Sequence, residues 1–236
     1  MSSIRDKVII LTGATQGIGL ATARLLAAKG AKLVLVARSR QDLEALAGEL
    51  PGSLAIPADM RDEISIKKMI AEAHAHFSKI DILINNAGQG LNASVETIDI
   101  ESYRQIFELN VIGSLIAMQQ VIPIMRQQGG GNIVNISSLV SKNYFPFMSA
   151  YASTKYALNC LSLTARNELA KDNIIVSLMH PGLTKTNFGK NAIIDEETKK
   201  IMAGFFENLP QADSPEYVAE RILHTIESGD AEVLAH

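Results

Sequence analysis

Short apolar runs rich in β-branched residues alternate along the chain with longer stretches of helical periodicity. That alternation constrains the fold more than any other feature. The runs are Val8–Leu11, Lys32–Ala37, Ser53–Ile56, Ile80–Ile84, Asn132–Ile136 and Ile174–Met179, with Ala231–Leu234 as a short seventh candidate. Near-continuous apolar strands belong to sheets covered on both faces. Helical patterns near 17–29, 40–50, 62–77, 100–127, 150–171 and 215–228 separate them. Strict alternation of strand and helix implies parallel strands joined by right-handed crossovers. No Pro/Gly/Ser-rich linker and no repeat divides the 236 residues. The sequence predicts one α/β domain over 1–236, a doubly wound parallel sheet flanked by helices on both faces.

Composition narrows the function classes. Hydrophobic residues make up 47% and charged residues 20%, with a net charge of −3, so no basic patch points to nucleic acid. The single cysteine, Cys160, excludes an internal disulfide and cysteine-rich zinc sites and suits a reducing compartment. The polar start Met1-Ser2-Ser3-Ile4-Arg5 lacks the apolar core of a signal peptide. The apolar runs are too short for a bilayer. A cytoplasmic protein without metal, membrane or nucleic-acid partners is expected.

The first strand runs into Thr12-Gly13-Ala14-Thr15-Gln16-Gly17-Ile18-Gly19 and then a helix. Glycines there let main-chain N–H groups meet a pyrophosphate, and the helix start attracts anions. Taken alone, such a cluster is equally a turn without a ligand. Its place after the first strand of a parallel sheet favours a dinucleotide and a Rossmann-type site. At the end of the second strand an acidic residue would bind a ribose 2′-hydroxyl. Here stand Arg38 and Ser39. No carboxylate repels a 2′-phosphate, and the Arg38 fork suits one, so NADP(H) is expected. Gln16 adds no second positive charge from the glycine turn.

Tyr151 and Lys155 stand four apart at a helix start, hence on one face. A nearby ammonium favours a phenolate and brings its pKa toward working pH. Such a tyrosine can give or take the proton on a carbonyl oxygen. Tyr-x-x-x-Lys alone is weak, since many helices carry that pair. Upstream, the strand Asn132–Ile136 ends in Ser137-Ser138. A serine at that end of a strand either caps a turn or holds a substrate oxygen.

Together these residues resemble the short-chain dehydrogenases/reductases. Thr12-Gly13-x-x-x-Gly17-Ile18-Gly19 matches that family's cofactor turn, and Asn85-Asn86-Ala87-Gly88 its motif after the fourth strand. Asn110 in Leu109-Asn110-Val111, the set Ser138, Tyr151 and Lys155, and Pro181-Gly182-x-x-x-Thr186 match in order. The resemblance implies that Tyr151 is the general acid/base and that Lys155 lowers its pKa and binds the nicotinamide ribose. It implies that Ser138 positions the substrate oxygen and that Asn110 holds a relay water. Asp59 and Met60 would meet the adenine. Asn86, Ala87 and Gly88 would line the cofactor floor, and Pro181, Gly182, Thr184 and Thr186 would touch the nicotinamide or its phosphate. The expected activity is NADP(H)-dependent hydride transfer to or from a small apolar carbonyl or secondary alcohol. The alternative is an NADP(H)-reading sensor without turnover. The end, Ser228–His236, lacks the glycines with which acyl-carrier reductases usually build a tetramer.

Residues 185–212 form a long connection with Phe188, Ile193, Ile201, Phe205, Phe206 and Leu209. With Tyr144, Phe145 and Phe147 it is either an apolar substrate wall or an ordinary helical lid packed on the body. Helices Ile106–Ile122 and Ala157–Leu169 carry apolar residues on more than one face. They are buried either in the core or against a second copy, and a homo-oligomer (dimer or tetramer) is expected. His180 reads as a packing or cofactor-side residue, and Cys160 as a small buried hydrophobe.

Overall fold

The computed structural model describes residues 4–205 and 211–235. The strands are Val8–Thr12 (β1), Lys32–Ala37 (β2), Leu54–Pro57 (β3), Ile82–Asn85 (β4), Leu91–Asn92 (β5), Gly131–Ile136 (β6), Ile174–His180 (β7), Ile193–Ile194 (β8) and Glu232–Leu234 (β9). The α-helices are Gly17–Ala28 (α1), Arg40–Glu49 (α2), Glu63–Phe77 (α3), Ile100–Phe107 (α4), Gly113–Gln127 (α5), Ser149–Leu169 (α6), Glu196–Phe205 (α7) and Pro215–Ser228 (α8). One parallel sheet runs in the order β3-β2-β1-β4-β6-β7-β9, while β5 and β8 pair separately.

Side-chain alternation along β1 explains the two helical layers. Val8 and Ile10 point to a core shared with Ile66 and Met69 of α3, Val121 and Met125 of α5, and Leu169 of α6. Ile9 and Leu11 point to the opposite core, with Leu26 of α1, Leu43 of α2 and Ile222 of α8. Every residue of β1 is buried, so no polar face is left for water. The order in which strands are added reverses at β1, which pairs in parallel with β2 on one side and β4 on the other. A crevice at such a switch point, beyond the strand ends, is the binding place in open α/β sheets.

The structure differs from the sequence reading in three ways. The expected single helix over 100–127 is broken by a π-helical turn, Glu108–Ile112. The run Ile100–Gln127 has the length and hydropathy of a membrane span, yet Ile106, Val111, Ile116, Ala117 and Val121 are buried in the domain core. The connection after β7 holds a short strand, β8, outside the sequence expectation, besides a helix, α7, of the kind the helical-lid reading allows. Of its expected apolar residues, Phe206 and Leu209 lie outside the described residues. Cys160, expected to be buried, is exposed on α6, because the helix turns that position away from the sheet.

Candidate active site

The glycine turn is built by the chain's own hydrogen bonds. The buried Thr12 hydroxyl donates to the Ile84 carbonyl at 3.3 Å and accepts from Asn86 N at 2.9 Å and Ala87 N at 3.0 Å. Asn86 Nδ2 donates back to the Thr12 and Gly13 carbonyls at 2.8 and 3.2 Å. The loops after β1 and β4 are thereby locked together. Thr12 is a residue the sequence reading quoted but gave no role, since its partners lie more than 70 positions away.

Two glycines in this turn are sterically required. Gly13 sits at φ +68°, and a Cβ there would lie 3.0 Å from Ala87 Cα. A Cβ on Gly19 would strike the Gly13 carbonyl oxygen. The turn is pressed onto the start of α1, with Thr15, Gly17 and Ile18 half-buried beside it and Gln16 exposed. Thr186 folds over Gly17, where an added Cβ would lie 3.0 Å from Thr186 Cγ2. Pro181 is buried, and Gly182, Thr184 and Thr186 are half-buried along this edge. Thr184 donates to the Gly182 carbonyl at 3.1 Å. A backbone cradle that side chains would fill, at a helix start, fits a dinucleotide phosphate.

On the expected adenine side, Asp59 and Met60 have partners within the chain. Asp59 is held by Arg61, whose Nη2 donates to Oδ2 at 2.6 Å and Nε to Oδ1 at 3.0 Å. That pairing holds the Asp59 carboxyl below its ordinary range. Met60 turns its side chain into the core, so only its main chain can border a ligand. Ser39 caps α2 by accepting from Asp42 N. Arg38 is exposed and makes no ion pair among the described residues. Its charge also favours the Asp59 anion.

Ser138, Tyr151 and Lys155 come together at the ends of β6 and α6. Ser138 caps the short 3₁₀ turn Leu139–Ser141, accepting from Val140 N at 3.3 Å. Its hydroxyl faces the Tyr151 phenol closely enough to favour the phenolate. Lys155 Nζ donates to the Ile136 carbonyl at 2.8 Å and sits 5.7 Å from the Tyr151 ring centre. Both Tyr151 and Lys155 are buried.

Burial, rather than the ammonium, dominates this pair. Desolvation raises the Tyr151 pKa far above its ordinary value, and the Ser138 hydroxyl only partly opposes it. Desolvation brings Lys155 down to about 8. The expected lowering of Tyr151 by Lys155 is thus outweighed in this structure, because neither charge is welcome in so dry a site.

Asn110 lies in the π-helical turn and is buried. Its Nδ2 donates to the Gln89 carbonyl at 2.9 Å and to Thr154 Oγ1 at 3.1 Å, while Oδ1 accepts from Gln89 N at 3.0 Å. The side chain clamps the loop after β4 onto α6. Gly88 fills the gap, with its Cβ position 3.2 Å from Asn110 Oδ1 and 3.7 Å from Lys155 Nζ.

Aromatic rings lie along the start of α6. Phe188 lies 5.5 Å from the Tyr151 ring, centre to centre. Tyr144, 91% exposed, stacks on Tyr156 at 6.0 Å. Phe145 and Leu183 are exposed as well.

Comparison with known proteins bears on the family and the fold. The family model described as short chain dehydrogenase matches residues 7–197. An uncharacterised oxidoreductase of Staphylococcus saprophyticus is 32% identical, over 96% of this chain and 92% of its own. A 7α-hydroxysteroid dehydrogenase, solved with NADH and 7-oxo glycochenodeoxycholic acid, superposes with a TM-score of 0.86 at 27% identity, covering 98% of this chain and 92% of that one. The 3-ketoacyl-(acyl-carrier-protein) reductase of Brucella melitensis, solved with NADH, gives 0.87 at 26% identity, covering 98% of each chain.

Proposed function

The chain belongs to the short-chain dehydrogenase/reductase family, and on that footing we propose that it is an NADP(H)-dependent reductase of small apolar ketones or aldehydes. The observation that carries this reading is the cluster of half-buried Ser138 with buried Tyr151 and Lys155, and Phe188 against the phenol ring. The dinucleotide, when bound, supplies the hydride, and the protein supplies position and proton. The glycine turn at Gly13–Gly19, Asn86–Gly88 and the Pro181–Thr186 edge would hold it, with Arg38 beside its 2′-phosphate. Ser138 donates a hydrogen bond to the carbonyl oxygen of the substrate. Tyr151 gives that oxygen its phenolic proton. A phenol kept neutral by burial is a proton donor at pH 7. Lys155, charged below about 8, stabilises the phenolate left behind.

Both compared structures hold NADH. The preference for NADP(H) rests on Arg38 in this chain, where no carboxylate ends β2.

The pH dependence follows from Lys155. Its ammonium is present below about 8 and lost above. The initial rate of NADPH oxidation with benzil, an aromatic α-diketone, is therefore expected to fall as pH rises through 8. A rate that climbs across that range overturns the role given to Lys155. The same assay, extended over apolar ketones and aldehydes, tests the activity itself. NADPH that binds but is consumed with no carbonyl probe would favour the sensor reading instead.

The outer faces of α4–α6 leave Phe107, Leu109, Ile112, Leu115, Leu161 and Leu163 only half-buried. A second copy of the chain would cover them. Light scattering behind size exclusion is expected to give the mass of two or four chains, and a monomer mass would refute the assembly.

A further inference from the structure

Beneath the serine segment runs a second polar chain that the proton-transfer scheme does not use. The Ser137 hydroxyl donates to Asn159 Oδ1 at 2.6 Å, and Asn159 Nδ2 donates to Ser141 Oγ at 2.9 Å. The Ser141 hydroxyl donates to the Ser138 carbonyl at 2.6 Å. His180, at the end of β7, closes the chain from the other side. Its Nδ1 lies 3.4 Å from both the Ser138 carbonyl oxygen and Ser141 Oγ. Its Nε2 lies 3.1 Å from Glu232 Oε1 on β9, and Lys142 Nζ reaches the same oxygen at 2.6 Å. Ser137, Ser141 and His180 are buried.

The partners decide the protonation pattern. An ionised carboxylate only accepts, so the Nε2 facing Glu232 carries hydrogen. A neutral ring then presents a bare Nδ1 lone pair to the Ser138 carbonyl oxygen, acceptor against acceptor. A second proton turns that contact into a charge-assisted hydrogen bond. The two ring states therefore hold the peptide that carries the Ser138 hydroxyl differently.

We propose that His180, braced by Glu232, is a positioning residue for Ser138 and that its ionisation sets how firmly that peptide is held. The inference rests on the reading of Ser138 as the donor to the substrate oxygen. The charged groups facing the ring are Glu232 from β9 and Lys142 from the turn after the serine segment, while α6 contributes the neutral Asn159. Burial holds the ring below its ordinary 6.5. The neutral form accordingly prevails at pH 7, and the charged form appears only on acidification.

Two measurements test this. In nitrogen–proton spectra of the full chain, the Leu139 amide nitrogen reports on the carbonyl before it. It is expected to titrate together with the His180 ring below pH 6.5, and to stop doing so in His180→Gln. A Leu139 signal indifferent to the His180 ring overturns the inference, whether or not the chain turns over any carbonyl. In kinetics with benzil on the acid side of pH 6.5, Glu232→Ala is expected to lower kcat/KM about tenfold, because the ring loses the carboxylate that favours its charged form, while at pH 7 and above parent and variant should agree. The loss stays short of the roughly 10²–10³ seen when such a donor is removed outright. NADPH affinity should stay within about twofold, because the cofactor cradle is untouched. Glu232→Gln still accepts from Nε2 and should restore most of the loss. Equal losses in both variants, tracking a loss of NADPH affinity, would mark a structural role and overturn the inference.

Discussion

Replacing Tyr151 with phenylalanine is expected to lower the turnover of carbonyl reduction about 10³-fold, with NADPH affinity within about twofold of the parent. Proton transfer by a positioned side chain contributes roughly 10²–10⁴ in rate, or about 3–5 kcal/mol at about 1.4 kcal/mol per decade. The ring itself does packing work beside Phe188, and phenylalanine keeps it. The hydroxyl is the part whose burial is unfavourable to ionise. Its removal leaves the cradle formed by Gly13, Thr12 and Asn86 intact. The variant should therefore melt at or near the parental temperature. Single-turnover NADPH oxidation gives the rate, and quenching or enhancement of nicotinamide fluorescence gives the affinity. A turnover within tenfold of the parent would show that some other group protonates the oxygen.

Such a prediction was already available from the sequence, and the reason is physical. The strands are buried on both faces, so their apolar runs stand out without any partner being known. Tyr151 and Lys155 sit on one helix, where spacing of four fixes proximity. Gly13 and Gly19 are demanded by local backbone geometry. What stayed hidden depends on long-range contact. Nothing in the order Asp59-Met60-Arg61 says that the arginine closes onto the carboxylate, or that Met60 turns inward to the core. The π-helical turn at Asn110 reads as ordinary helix by periodicity, since its apolar residues keep a helical spacing. The two-residue strands β5 and β8 are too short for any pattern. Desolvation at Tyr151 and Lys155 is a property of the closed fold. Spacing alone suggested that the ammonium would dominate, and burial reverses that ranking.

Cofactor choice puts the same reasoning to a sharper test, because under the proposed NADP(H) preference a surface charge decides and burial does not. Changing Arg38 to aspartate is expected to shift the ratio of kcat/KM for NADPH over NADH by about 10²-fold toward NADH. Two unit charges about 4 Å apart interact by roughly 4 kcal/mol at an effective dielectric near 20. Exposure of Arg38 reduces that to about half, which is the energy of about one and a half decades, and the second effect of the substitution brings the total to about two. The substitution acts twice, removing a guanidinium fork that suits a phosphate and adding a carboxylate able to accept from a ribose hydroxyl. Asp59 cannot fill that second role in the parent, because Arg61 occupies both of its oxygens. Arg61 in turn cannot replace Arg38 while it is bound to Asp59. Arg38→Gln, which deletes the charge without inverting it, should move the ratio about tenfold, between the two. The ordering parent, Gln, Asp is the diagnostic. A parent that already prefers NADH, or an aspartate variant with an unmoved ratio, would mean that the 2′-phosphate is not read at the end of β2.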